Sequence, residues 1–141
     1  MMRWMIVAGM ALVGCAQAVD EPQNLPKIKV LMSGAELKVQ VADDVDERAK
    51  GLMFVKSMAP NAGMLFVWSK PEPRSFWMRN TYIPLDLIYL NDGKVVSLIE
   101  KAKPFDETGL PSGVPADMVL EVNAGWVARH GVKVGDRLQV K

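Results

Sequence analysis

The sequence predicts a mainly-β domain, a sandwich or barrel that carries only two short helices. Three observations predict it. Residues 35–42, AELKVQVA, alternate strictly, with Leu37, Val39 and Val41 on one face and Glu36, Lys38 and Gln40 on the other, the period of a half-buried strand. Residues 85–100 place two apolar runs, LDLIYL and KVVSLIE, on either side of Asn91-Asp92-Gly93, the strongest hairpin signal in the chain. Turn residues punctuate the remainder at short intervals, which spaces short strands rather than long helices.

The other elements follow in order. KIKVLM, residues 27–32, pairs with 35–42 through a turn at Ser33–Gly34. In DDVDERAKG, Asp44 followed three residues later by Glu47 forms a capping box, and Gly51 suits a left-handed stop. The spacing predicts a helix over about 45–50. GMLFVW, residues 63–68, is continuously apolar and reads as a buried strand that SKPEP, 69–73, breaks. RSFWMRN, 74–80, reads as a further strand, with Phe76, Met78 and Asn80 on one face and Trp77, Arg79 and Thr81 on the other. Residues 102–116 are rich in Pro and Gly without periodicity and predict a long loop. MVLEV, 118–122, is a strand, and Asn123 is placed to cap a short helix in AGWVARH that Gly131 ends. VGD then turns into a last strand, RLQVK.

The first residues carry a separate message. Arg3 is followed by ten uncharged, mostly apolar residues from Trp4 to Val13, the pattern of a secretory leader and too short for a stable span. LVGC, Leu12 to Cys15, resembles the lipobox of bacterial lipoproteins, in which the leader is cut before a cysteine that is then acylated. A competing cut follows Ala18. The expected plan is a signal peptide over 1–14, a tether over 15–27 with Pro22 and Pro26, and one domain over 28–141. Cys15 is the sole cysteine, so no disulfide forms within the chain. Each buried acyl CH₂ contributes about 0.8 kcal/mol, so several chains on Cys15 would anchor the protein to a membrane. Ala16 carries no aspartate retention signal, which points to the outer membrane and a periplasmic-side location. Loss of residues 1–14 removes only Arg3 among the charged residues and leaves 16 basic against 16 acidic, a balance that argues against nucleic acid.

ERAKGLMF, GMLFVW, FWMRNTYIPLDLIYL and VLEVNAGWVARHGVKVGD occur here in the order and spacing of domain of unknown function family 192. The chain resembles that family over residues 28–141. The resemblance implies a compact antiparallel β-sandwich of jelly-roll type, often exported, and brings no established activity. Arg79 departs from the family, in which lysine is common at this position, so a planar fork replaces a point charge.

Asp86 is the first candidate site residue. Its neighbours along PLDLIYL are apolar on both faces, so its carboxylate is expected to be buried and partnered by Arg79, Arg48, Asn80 or Thr81. One reading makes it a structural clasp. The other makes Trp77, Arg79, Asn80, Thr81 and Asp86 a ligand-binding constellation, with the Trp77 indole as a stacking surface suited to a sugar. Glu47 and Arg48 are expected as structural polar partners. A competing enzymatic reading pairs Asp86 with Glu121 as acid and base in hydrolysis of an envelope polymer. His130 is the sole histidine, and Met32, Met53, Met58, Met64, Met78 and Met118 show no tight repeat, so neither a metal nor another cofactor is expected. No serine or cysteine nucleophile has a convincing base. The expected function is non-catalytic binding of an envelope glycan or a protein partner.

Overall fold

The computed structural model describes residues 20–141, so the leader and Cys15 lie outside the described residues. The elements are β1 (Lys27–Met32), β2 (Ala35–Ala42), α1 (Val45–Lys50), β3 (Ala62–Phe76), β4 (Leu85–Asn91), β5 (Lys94–Ala102), β6 (Leu110–Asn123), α2 (Trp126–His130) and β7 (Leu138–Val140). All seven strands belong to one sheet in the order β5-β4-β6-β3-β2-β1-β7. The expected mainly-β architecture with two short helices is the one found. One pair, β2 with β3, is parallel, because α1 and the segment after it carry the chain back before β3 begins.

The sheet curls until its two ends meet. The outermost strands β5 and β7 approach each other through a bridge between Lys94 and Arg137 and through Leu138 N–H donating to Gly93 O at 2.8 Å. Closure of this kind removes exposed strand edges. The inside of the curl is a core of Val30, Leu37, Val39, Leu65, Ile88, Leu120, Val122 and Trp126. A second core of Leu52, Met64, Phe66, Met78, Leu87, Tyr89 and Val119 covers the outside of the central strands. β4 is buried along both faces, which is why LDLIYL is apolar without alternation.

α1 forms as expected. Asp44 Oδ1 accepts from Glu47 N–H at 2.8 Å, Glu47 Oε1 accepts from Asp43 N–H at 3.1 Å, and Gly51 stops the helix at φ 50°. Three expectations are corrected. SKPEP does not end the strand: β3 runs on to Phe76, with a bulge between Val67 and Glu72. Beyond Phe66 this strand pairs only with β6, so Pro71 and Pro73 sit where one side needs no N–H. Trp77–Asn80 is accordingly no strand but a turn, closed by Thr81 N–H on Met78 O at 3.2 Å. The predicted 102–116 loop is half strand, since Leu110–Ala116 forms the returning side of this arm.

Over its described part the tether is bonded to the domain. Gln23 Nε2 donates to Glu47 O and to Gly51 O, both at 2.9 Å, and Leu25 N–H donates to Gln40 Oε1 at 2.8 Å. Residues 23–25 therefore strap the chain onto the end of α1 and onto β2.

Candidate functional site

Asp86 is fully buried, on the inner face of β4. Its Oδ1 accepts from Lys101 N–H at 2.9 Å, and its Oδ2 accepts from Gly125 N–H and Val127 N–H, both at 3.0 Å. The last two are orphan amides at the start of α2, so Asp86 supplies the cap that Asn123 was expected to give. Asn123 instead donates through Nδ2 to Met58 O and Ala59 O, both at 3.1 Å. The expected partners of Asp86 among Arg48, Arg79, Asn80 and Thr81 are replaced by backbone amides from β5 and α2. These three bonds tie β4 to β5 and to the start of α2.

Glu121 pairs across the strands with Leu87, whereas Asp86 pairs with Val122. Side chains alternate along a strand, so the two carboxylates point to opposite faces of the sheet. They cannot flank one bond, and the expected acid–base pair is overturned.

Glu121 lies instead at the floor of a hollow of about 390 Å³ on the outer face. α1 and the residues after it supply Arg48, Lys50 and Leu52, the arm supplies Phe66, Trp68, Arg74 and Phe76, and the 77–81 turn supplies Trp77, Arg79 and Thr81. The Glu121 side chain is 5% exposed, and no hydrogen bond or ion pair forms to its carboxyl among the described residues. Burial alone pushes its pKa up to about 8, so at neutral pH it is a carboxylic acid. Tyr89 lies close by, its hydroxyl held protonated far beyond the usual phenol range by burial and then by Glu121, and it donates to Leu110 O.

The walls are aromatic. Phe66 and Phe76 meet edge to face at 4.9 Å, and Trp68 meets Phe76 the same way at 6.1 Å. Trp68 is flanked by two guanidiniums, with Arg74 4.2 Å and Arg48 5.5 Å from its ring centroid. Arg74 is fixed by Nε donating to Ala116 O at 2.9 Å and Nη2 to Lys70 O at 2.5 Å, which locks the arm. Arg48 donates Nη1 to Val67 O at 3.0 Å. Arg79 lies 5.3 Å from the Trp77 ring centroid and pairs loosely with Glu107 at 3.6 Å. A larger hollow of about 610 Å³ lies beside residues 55–63, and there Gln40 is engaged by Leu25 N–H and Asn61 by Trp126 Nε1.

Of the expected site residues, Trp77, Arg79, Thr81, Arg48 and Glu121 line the same hollow. Asp86 faces the other way. Asn80 stands apart at φ 52°, with its carbonyl accepting from Phe54 N–H at 2.9 Å. Glu47 serves only the cap of α1. Trp68 and Arg74 were missed, since a strand taken to end before residue 69 leaves them unrelated.

The molecule is thus a curled β domain with one hollow walled by aromatic side chains, rimmed by arginines and floored by Glu121. Residues 28–140 match the family model DUF192, described as "Uncharacterized ACR", and the chain belongs to this family. Two solved structures are similar. One, a putative transcription regulator from Sinorhizobium meliloti 1021, is 40% identical with a TM-score of 0.81, over 84% of this chain and 96% of that one. The other, a protein of unknown function from Novosphingobium aromaticivorans DSM 12444, is 40% identical with a TM-score of 0.79, over 82% of this chain and 86% of that one. A comparison with curated proteins finds no match.

Proposed function

We propose that this protein is an exported, lipid-anchored domain of the cell envelope that binds a small ligand in the hollow over Glu121 without transforming it. The observation that carries the reading is Glu121, a residue 5% exposed whose carboxyl makes no hydrogen bond among the described residues and opens only onto the hollow. Drawing an unpaired polar group away from bulk water costs free energy. A fold that keeps such a group beneath an open aromatic hollow has a place for a ligand that supplies the missing partner. Catalysis is not part of the reading, since the second carboxylate, Asp86, is engaged on the other face and His130 is stacked on Trp126 at 4.0 Å. The regulator role suggested for the Sinorhizobium meliloti relative is not carried over, because 16 basic against 16 acidic residues beyond residue 14 leave no net positive charge for a nucleic-acid backbone.

Export and anchoring rest on Arg3, the apolar run to Val13 and Cys15. Full-length protein should pellet with membranes, and Cys15→Ser should release it. A Cys15→Ser protein that still partitions fully into membranes removes the anchor from the account. Binding is tested by a thermal-shift screen of the full chain against envelope glycan fragments and small organic acids. A ligand at about 100 times its dissociation constant adds about 2.7 kcal/mol. The shift should disappear in Arg48→Ala and Trp68→Ala, and a shift that survives both contradicts the site.

A further inference from the structure

We infer that the hollow selects a small organic anion with an apolar body, its charged group held by Arg48 at the rim and its inner end accepting the hydrogen of the Glu121 carboxyl. This rests on the ligand-binding reading and adds the chemical class.

The charge follows from the lining. Arg48, Lys50, Arg74 and Arg79 face the hollow against one acid, Glu121, which burial keeps neutral. The arginines are not equally free. Arg74 spends Nε and Nη2 on Ala116 O and Lys70 O and has Glu72 beside it at 3.6 Å. Arg79 is half exposed and faces Glu107. Arg48 spends only Nη1, on Val67 O, so its Nε and Nη2 keep donors to give. Its guanidinium beside the Trp68 ring is a planar fork already set in place, the geometry that receives a carboxylate.

The apolar body follows from the walls. Phe66 and Trp68 stack on each other at 6.4 Å and both meet Phe76 edge-on, at 82° and 84°, so one side of the hollow is a continuous aromatic wall. The inner acceptor follows from the floor. Around Glu121, β4 presents Leu87 and the Tyr89 hydroxyl, β3 presents Met64, and the rim presents the four cations and Thr81. Tyr89 donates to Leu110 O and the Thr81 hydroxyl to Arg79 O, so neither is spent on Glu121. Once Glu121 ionises it loses the donated hydrogen and repels the anion, so affinity falls as pH rises past about 8.

The probes are 4-acetylbenzoate, flat and anionic with a carbonyl at its far end, and its neutral amide, 4-acetylbenzamide. Calorimetric titration of the full chain in neutral detergent at pH about 6.5 and about 9.5 brackets the Glu121 ionisation. The expected result is binding of the acid at least about tenfold tighter than the amide at the lower pH, and a loss of about tenfold at the higher. Glu121→Gln, which keeps a neutral donor, should bind with no such pH dependence, and Arg48→Met should bind acid and amide alike. Equal affinity for the two probes in the wild type, or a pH dependence that persists in Glu121→Gln, overturns the inference. If neither probe binds but a glycan fragment gives a shift that needs Arg48 and Trp68, the class is wrong and the site stands. If nothing gives such a shift, both fall.

Discussion

Asp86 and Glu121 stand back to back, on neighbouring strands of one sheet and on opposite faces of it. The first accepts three backbone amides and holds β4 to β5 and to α2. The second makes no such bond and waits under an open hollow. Structure is the work of one carboxylate, and ligand recognition is the proposed work of the other.

Asp86→Ala leaves three amides without an acceptor and strips α2 of its cap. Hydrogen bonds to charged groups contribute roughly 1.5–3 kcal/mol each, so the loss should be about 3 kcal/mol or more. Urea denaturation of wild type and variant measures it. Hydrogen exchange at Gly125 and Val127 should quicken more than at Gly51, whose N–H bonds to Glu47 O inside α1.

Glu121→Gln should change how stability depends on pH. The folded pKa, about 8, lies above the ordinary carboxyl value of 4.5, so the folded state holds a proton the unfolded chain has released. Stability from this group is complete below the unfolded value and declines as pH rises through the folded one, by at most about 1.4 kcal/mol per pH unit. Denaturation midpoints between pH about 5 and about 9 should fall for the wild type, and that component of the slope should vanish in the variant.

Gly63→Ala should be among the most damaging small substitutions. A methyl group there would collide with the Glu121 backbone carbonyl and press on the Val122 side chain, where Gly63 pairs with Val122 across β3 and β6. A clash against backbone is not relieved by rotamer change, so the cost should exceed about 2 kcal/mol. Thermal denaturation tests this, with Gly109→Ala as the comparison, where a Cβ meets only the Ser75 hydroxyl, at 3.2 Å.

Arg74→Met should loosen the arm while sparing the barrel. The guanidinium bonds to Ala116 O and Lys70 O and packs on Trp68, so its loss frees two carbonyls and one aromatic face. Hydrogen exchange should rise over 110–116 and stay unchanged at Val30 and Leu37, with global stability lower by about 1–2 kcal/mol.

How much of this was legible depended on how local the cause was. The capping box of α1 and the 85–100 hairpin were readable because Asp44 and Glu47, or Asn91 to Gly93, act on neighbours in sequence. The burial of Asp86 was readable from apolar residues on both of its faces. Its partners were not, because they are amides 15 to 41 residues away that carry no side-chain signature. The face that Glu121 takes was not readable for a related reason. Its orientation is set by register with Leu87 and Met64, and alternation within VLEV cannot supply that register. The prolines at 71 and 73 misled because a proline stops only a strand that needs its N–H, and this one is unpaired on one side.

The central claim is that Glu121 is a buried, unpartnered acid in the ligand site, and its own titration tests that most directly. The side-chain carboxyl carbon of Glu121, followed by carbon-detected NMR in the full chain and assigned by its loss in Glu121→Gln, should titrate with a midpoint of about 8. A midpoint near the ordinary 4.5 would mean that the carboxyl is solvated or paired, and the hollow would then hold no neutral acid to offer a ligand.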